Sequence, residues 1–250
     1  MKKTLLMAAA ALAAGVISSQ AGVYSQNVVG YVNQTLPLGF TTIANPLDAQ
    51  DPAGTGVNNA ITNVIPVLTG NYDGDILYFW TGSTFVSYTI DSGWPTGIGN
   101  SLDSAAVAPP VLSPGTAIYL DNTIGKTTNT FVGVVHVDGV ATIGGTIGVT
   151  TNNVPLGYTF FASKLPVGGG ISSVLGLPAD GTLDGSVINI PNVGADGFVH
   201  GYTQYTIDSG WSTGFGNALD SAAVPEPQIP VGGGFLLQNT AAAVQWVQSY

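Results

Sequence analysis

The chain has 250 residues, of which only 7% are charged, and its formal net charge is −10. So acidic a protein repels phosphate backbones, whose binding needs Lys and Arg to release counterions, and it is repelled by anionic headgroups as well; nucleic acid is excluded as a partner. With no cysteine there is neither a disulfide nor a thiolate metal ligand, so stability rests on burying the 45% of residues that are apolar.

Residues 1–21 read as a secretory signal peptide: Lys2 and Lys3 precede an apolar run from Leu5 to Ile17, and Ser19-Gln20-Ala21 ends it with small residues two apart. Cleavage after Ala21 leaves two lysines, Lys126 and Lys164, against fourteen carboxylates, a charge of about −12. No later apolar run is long enough for a transmembrane helix, so no direct membrane insertion is expected after cleavage. The expected location is secreted or at the cell surface.

From Val23 to Gln34 β-branched and aromatic residues without helical period predict an opening strand. Leu36-Pro37-Leu38-Gly39-Phe40 is a turn feeding a strand, and Val154-Pro155-Leu156-Gly157-Tyr158 repeats it. Residues 48–70 and 166–183 are loop-like, with room for a helical turn in each. Next, Asp75–Trp80 and Thr84–Ile90 form a hairpin about Thr81-Gly82-Ser83. Alternation puts Phe85, Ser87 and Thr89 on one face of its second strand and Val86, Tyr88 and Ile90 on the other.

That strand opens the stretch YTIDSGWPTGIGNSLDSAAV, Tyr88 to Val107, which returns as YTIDSGWSTGFGNALDSAAV, Tyr205 to Val224, with seventeen of twenty positions identical. So close a match at a fixed offset marks an internal duplication. Further strands at Thr116–Leu120 and Phe131–Val137 close the first copy, and Phe235–Leu237 and Ala243–Val247 close the second. The predicted fold is all-β: two tandem homologous modules, each a β-sandwich or barrel-like sheet, spanning 22–137 and 152–250, with 138–151 as a linker or joining strand. One fused sandwich made from both copies is the alternative.

Chemistry-bearing residues are sparse. His136 lies near the module junction, and neither it nor His200 belongs to a feature that both copies share. Asp91/Asp103 and Asp208/Asp220 are spaced alike in the two copies, but turn formation accounts for an Asp followed by Ser and Gly, and Glu226 is the only glutamate. No catalytic constellation emerges, and a non-enzymatic protein is expected. Trp94 and Trp211, with Tyr88 and Tyr205, are candidates for an aromatic platform that would bind extracellular glycans; the competing assignment is hydrophobic core. Asn71, Asp73 and Asp75 alternate in GNYDGDI and are candidate ligands for calcium, which takes oxygen donors; no other cofactor is expected.

LPLGFTTIANPL, then ILYFWTGSTFVSYTIDSGW, then LSPGTAIYL resembles a repeat of secreted β proteins from environmental bacteria that runs F-x-x-I-x-N-P, Y-x-W-x-G-x-x-F-x-x-Y, then L-x-P-G. The resemblance covers nearly the whole mature chain, twice, and implies no particular activity. The second copy departs from it at Ala162-Ser163-Lys164, where the first has Ala44-Asn45-Pro46, and at Gly232-Gly233-Gly234, where the first has Gly115-Thr116-Ala117. Together these features lead us to expect an exported structural or cell-surface protein that associates with itself through sheet edges or shared faces, or else a carbohydrate-binding or adhesive module. The scarcity of charge to oppose association favours the first.

Overall fold

The computed structural model describes residues 29–53, 56–125, 127–138 and 149–249. The expected signal peptide, and 139–148 of the expected joining stretch, lie outside the described residues. Of the described residues 46% are strand and 3% helix. The first copy holds β1 (Val29–Leu36), β2 (Gly39–Ala44), the helical turn α1 (Ile61–Val64), β3 (Ile76–Trp80), β4 (Phe85–Ile90), β5 (Ile98–Asn100), β6 (Ala117–Asn122) and β7 (Thr127–Val134). The second holds β8 (Val149–Val154), β9 (Gly157–Ala162), β10 (Gly169–Gly170), β11 (Val187–Val193), β12 (Val199–Ile207), β13 (Phe215–Asn217), β14 (Gln228–Ile229), β15 (Gly234–Asn239) and β16 (Val244–Ser249). β8 therefore takes in the last three residues of the expected joining stretch. Among the described residues no helix is long and apolar enough to cross a membrane.

The two main sheets share one strand order. One five-stranded antiparallel sheet runs β2-β6-β3-β4-β5 and the other β9-β15-β11-β12-β13, the same order in equivalent strands. In each copy the first and last strands form a separate ribbon, β1 with β7 and β8 with β16. Neither sheet closes into a barrel. The turns into β2 and β9 need glycine, since Gly39 and Gly157 sit at φ of 86° and 91°, where a side chain is strained.

Alternation builds each copy's interior. In β7 Asn129, Phe131 and Gly133 point inward while Thr128, Thr130 and Val132 face solvent. The first core joins Leu77, Ile90, Ile118 and Leu120 of the sheet to Leu36 and Phe131 of the ribbon, with Ile61, Val64 and Val67 filling the side. The second joins Ile188, Ile207, Phe235 and Leu237 to Val154 and Trp246, with Ile171 and Leu175 in the corresponding place. Each copy is thus a small sandwich of sheet and ribbon. At equivalent ribbon positions the Asn129 amide donates to the Val64 carbonyl (3.2 Å) and the Trp246 indole to the Leu175 carbonyl (2.7 Å), two side chains satisfying the same turn.

The other face of each sheet meets the other copy. Ala44, Ala117, Tyr119, Phe160 and Ala162 are buried together between the copies, with Phe40, Tyr78, Trp80, Phe85 and Leu236 packed around them. Phe160 stacks at 4.6 Å on Tyr119 and meets Phe85 edge-on at 6.4 Å. The contact is reciprocal: Ala44 N–H donates to Gly232 O (2.7 Å), and its equivalent Ala162 N–H donates to Gly115 O (3.0 Å). Such mutual use of one patch is the signature of an isologous, twofold-like interface, here formed within one chain. Small residues permit it, because a β-carbon on Gly234 would lie 2.2 Å from that of Ala117.

The outer strands β2 and β9 are covered by the same contact. Phe40 N–H donates to Gly197 O (2.7 Å) on the β11–β12 hairpin, while the shorter first-copy hairpin sends the Trp80 indole to Tyr158 O (2.9 Å). Beyond β5 and β13, single bridges to Ala106 and Ala223 continue the ladder. These contacts engage backbone groups on the outer edges of the two five-stranded sheets, where pairing with another chain would otherwise be invited.

Candidate functional site

The Trp-bearing loops form in the same way in both copies. Asp91 Oδ1 accepts from Gly93 N–H (2.8 Å) and Asp208 Oδ1 from Gly210 N–H (2.7 Å), and each indole is laid back on its own strand. A β-carbon at Gly99 would meet the Trp94 ring at 2.2 Å, and one at Gly216 would meet Trp211 at 2.1 Å. Both tryptophans are half-buried, each with a ring face resting on a glycine.

Register separates them from the tyrosines. Gly99 is opposite Thr89, so Trp94 lies on the Thr89 face, whereas Tyr88 packs on the first core from the other side of the sheet. Trp211 and Tyr205 stand in the same relation. Tyr88 meets Phe79 edge-on at 5.5 Å. The four candidates thus form no shared platform, and of the four, Tyr205 alone lines an open cleft. Asp103 and Asp220 accept from Ala105 and Ala222 N–H (3.1 Å each), the turn chemistry expected of them.

The candidate calcium ligands point to different places. Asn71 is exposed. Asp73 gives both oxygens to Ser92, accepting from its N–H and its hydroxyl at 2.7 Å each. The second copy makes the same clamp with Asp184 and Ser209, at 2.9 and 2.8 Å. Asp75 is fully buried; its Oδ1 accepts from Thr123 N–H (2.7 Å), while Oδ2 has no partner. Burial raises the Asp75 pKa against the lowering effect of the Thr123 hydrogen bonds. A carboxyl so placed is a strained structural element, and among the described residues no cluster of three or more His, Cys, Asp or Glu is disposed to hold a metal ion.

The charged network that does form lies where the copies join, from residues distant in sequence. His136 Nδ1 is 2.7 Å from Asp48 Oδ2 and Nε2 is 2.9 Å from Asp138 Oδ1. Both carboxylates are satisfied only by an imidazolium, which donates from each nitrogen. The Asp48 hydrogen bond raises the His136 pKa, burial opposes it, and Asp138 adds to the rise. Asp138 Oδ2 in turn accepts from Lys164 Nζ (3.0 Å), Thr151 N–H (2.6 Å) and Thr150 Oγ1 (3.0 Å), all in the second copy. Against the penalty of burial, Thr151, Lys164, His136 and Thr150 hold Asp138 well below the usual carboxylate range. His136 and Asp48 are 88 residues apart, and only the pairing of Asp48 with Val134 brings them together. This clamp ties the copies; it presents no nucleophile. His200 pairs with Asp196 at 2.8 Å on the exposed hairpin that leans on Gly39.

Compared with family models, with curated proteins and with solved structures, the chain finds no match.

Proposed function

We propose that this chain is an exported, non-enzymatic structural or cell-surface protein, a duplicated β module that folds against itself into one rigid unit. The observation that carries this reading is the reciprocal contact between the two sheets, in which each copy supplies a carbonyl to the other's outer strand, Gly232 to Ala44 and Gly115 to Ala162. One face of each sheet, and the outer edges of β2 and β9, make contacts within one chain that could otherwise be made between chains. The His136 clamp adds an ionic tie at the junction.

The test is expression in a secreting host, with N-terminal sequencing of the product and light scattering over a hundredfold concentration range. The expected product begins at Gly22, appears outside the cytoplasm and keeps the mass of one chain. Retention of residues 1–21 in a cytoplasmic product would refute export. A mass that grows with concentration would refute the self-contained unit.

A further inference from the structure

We infer that the second copy carries a binding cleft for a neutral oligosaccharide, completed by Asn192, Thr203 and Gln228, which the first copy lacks. A half-open cleft of about 790 Å³ lies between the outer part of β12 and the segment 224–228, within the range of small-ligand sites. Tyr205, half-buried against the second core, and Thr203 share one face of β12 and form its floor. Asn217, directly across from Tyr205 in the register, extends the same face.

A register shift between Pro191 and Val193 frees Asn192 from the ladder, and its Oδ1 accepts from the Thr203 hydroxyl at 2.7 Å. That bond leaves the Asn192 amide N–H groups as donors. The opposite wall carries Gln228 and is anchored by Glu226, whose oxygens accept from the N–H groups of Ser172 (2.9 Å) and Ser173 (3.0 Å) and from the Ser173 hydroxyl. Glu226 is therefore spent on holding the wall.

Two tyrosines, amides and a hydroxyl line the opening beside the apolar Leu219, Val224 and two prolines, and its one charge, Glu226, is committed. A tyrosine ring offers the apolar face of a sugar a surface, while amides exchange hydrogen bonds with its hydroxyls. The acidic chain disfavours an anionic polymer, which leaves a neutral one.

The first copy serves as the internal comparison. It keeps Tyr88 and Asn100, but has Val86 in place of Thr203 and Val111 in place of Gln228, and its hairpin closes at Thr81–Thr84 before any counterpart of Asn192. The sugar-binding expectation attached to the tryptophans thus moves to a different face and to one copy.

Affinity electrophoresis of the mature protein in gels containing laminarin, dextran or galactomannan, with alginate and pectate gels alongside, tests the site. At least one neutral polymer should retard the protein. The double variant Thr203→Val/Gln228→Val, which installs the first copy's residues at two exposed positions, should weaken that retardation at least tenfold. Trp94→Ala and Trp211→Ala should leave it within twofold. Absence of retardation in every neutral gel, retardation stronger in the acidic gels, or undiminished retardation of the double variant would each overturn the proposal.

Discussion

Phe160 is the residue whose removal best separates the packing of each copy from the packing between them. It lies in β9, buried to 2% exposure, and touches Tyr119 and Phe85 of the first copy, while its neighbour Phe161 points into the second copy's own core. A buried phenylalanine removes about 200 Å² from water, worth about 5 kcal/mol at ~25 cal/mol/Å². Reducing this by roughly a third for residual burial in the unfolded chain leaves about 3 kcal/mol, at the low end of measured Phe→Ala costs. In a cooperative unit of this size each kcal/mol moves the melting temperature by about 2–4 °C, so Phe160→Ala should lower it by about 10 °C. Because the loss falls on the coupling, scanning calorimetry should show the single wild-type transition resolving into two. Phe161→Ala should instead depress the second copy's transition. If Phe160→Ala retains one transition displaced by less than about 3 °C, the interface contributes little and the single-unit argument fails.

Three further outcomes follow from the geometry. Asp75→Asn keeps the acceptor for Thr123 and exchanges a buried carboxylate, whose charge burial penalises, for a neutral amide. Since its folded pKa is raised, urea melts should show the variant gaining stability at pH 7 and losing that gain as the pH falls toward 4. His136 also has a raised pKa, so its contribution is complete below its unfolded value of about 6.5 and is lost as the pH climbs through the folded one; the lowered pKa values of Asp48 and Asp138 make their part vanish only on acidification below about 4. Melting temperature should accordingly decline from pH 6 to 9 in the wild type and stay flatter in His136→Gln. Gly216→Ala forces the Trp211 ring off its strand, and its fluorescence should shift to the red; an unchanged spectrum would contradict the stacking.

Much of the fold was legible because the chain repeats itself. The hairpin at Thr81–Ser83 and the two-faced strand from Phe85 to Ile90 follow from turn chemistry and alternation, and a duplicated sequence implied a duplicated topology. What covered the second face was not legible. Phe85 and Tyr88 on opposite sides of one strand announce burial on both sides without naming the second partner, and that partner, Phe160, is 75 residues further on. The same limit hid the junction clamp: Asp48, His136 and Lys164 are unremarkable singly, and only the fold assembles them. The Trp and Tyr candidates were misleading as a group because a turn lies between them, and the direction in which a loop folds its indole is decided by the glycine waiting beneath it.

The two copies can be read as a comparison made under identical conditions, and the pattern of their differences has a physical meaning. Asp91 and Asp208, Trp94 and Trp211, and Gly99 and Gly216 are identical and make the same contacts, and the carboxylate that holds each loop from outside, Asp73 or Asp184, is kept with them. Inside the sandwich the copies differ in concert: Tyr72, Asp75 and Asn129 are answered by Leu183, Ser186 and Trp246, so a buried carboxyl, phenol and amide give way to one hydroxyl and two largely apolar side chains. A half exchange would leave a buried donor or acceptor unpaired, and Asp75 Oδ2 shows what that looks like. At the surface such coupling is weaker and local, as in the Thr203–Asn192 hydrogen bond, and nothing ties Gln228 to that pair. Yet Asn192, Thr203 and Gln228 differ together from a shorter hairpin, Val86 and Val111, and all line one cleft. Coordinated change without a packing requirement is the behaviour of residues that answer to a ligand, and it is why the second copy's cleft, rather than the loops the copies share, is where a binding activity should be sought.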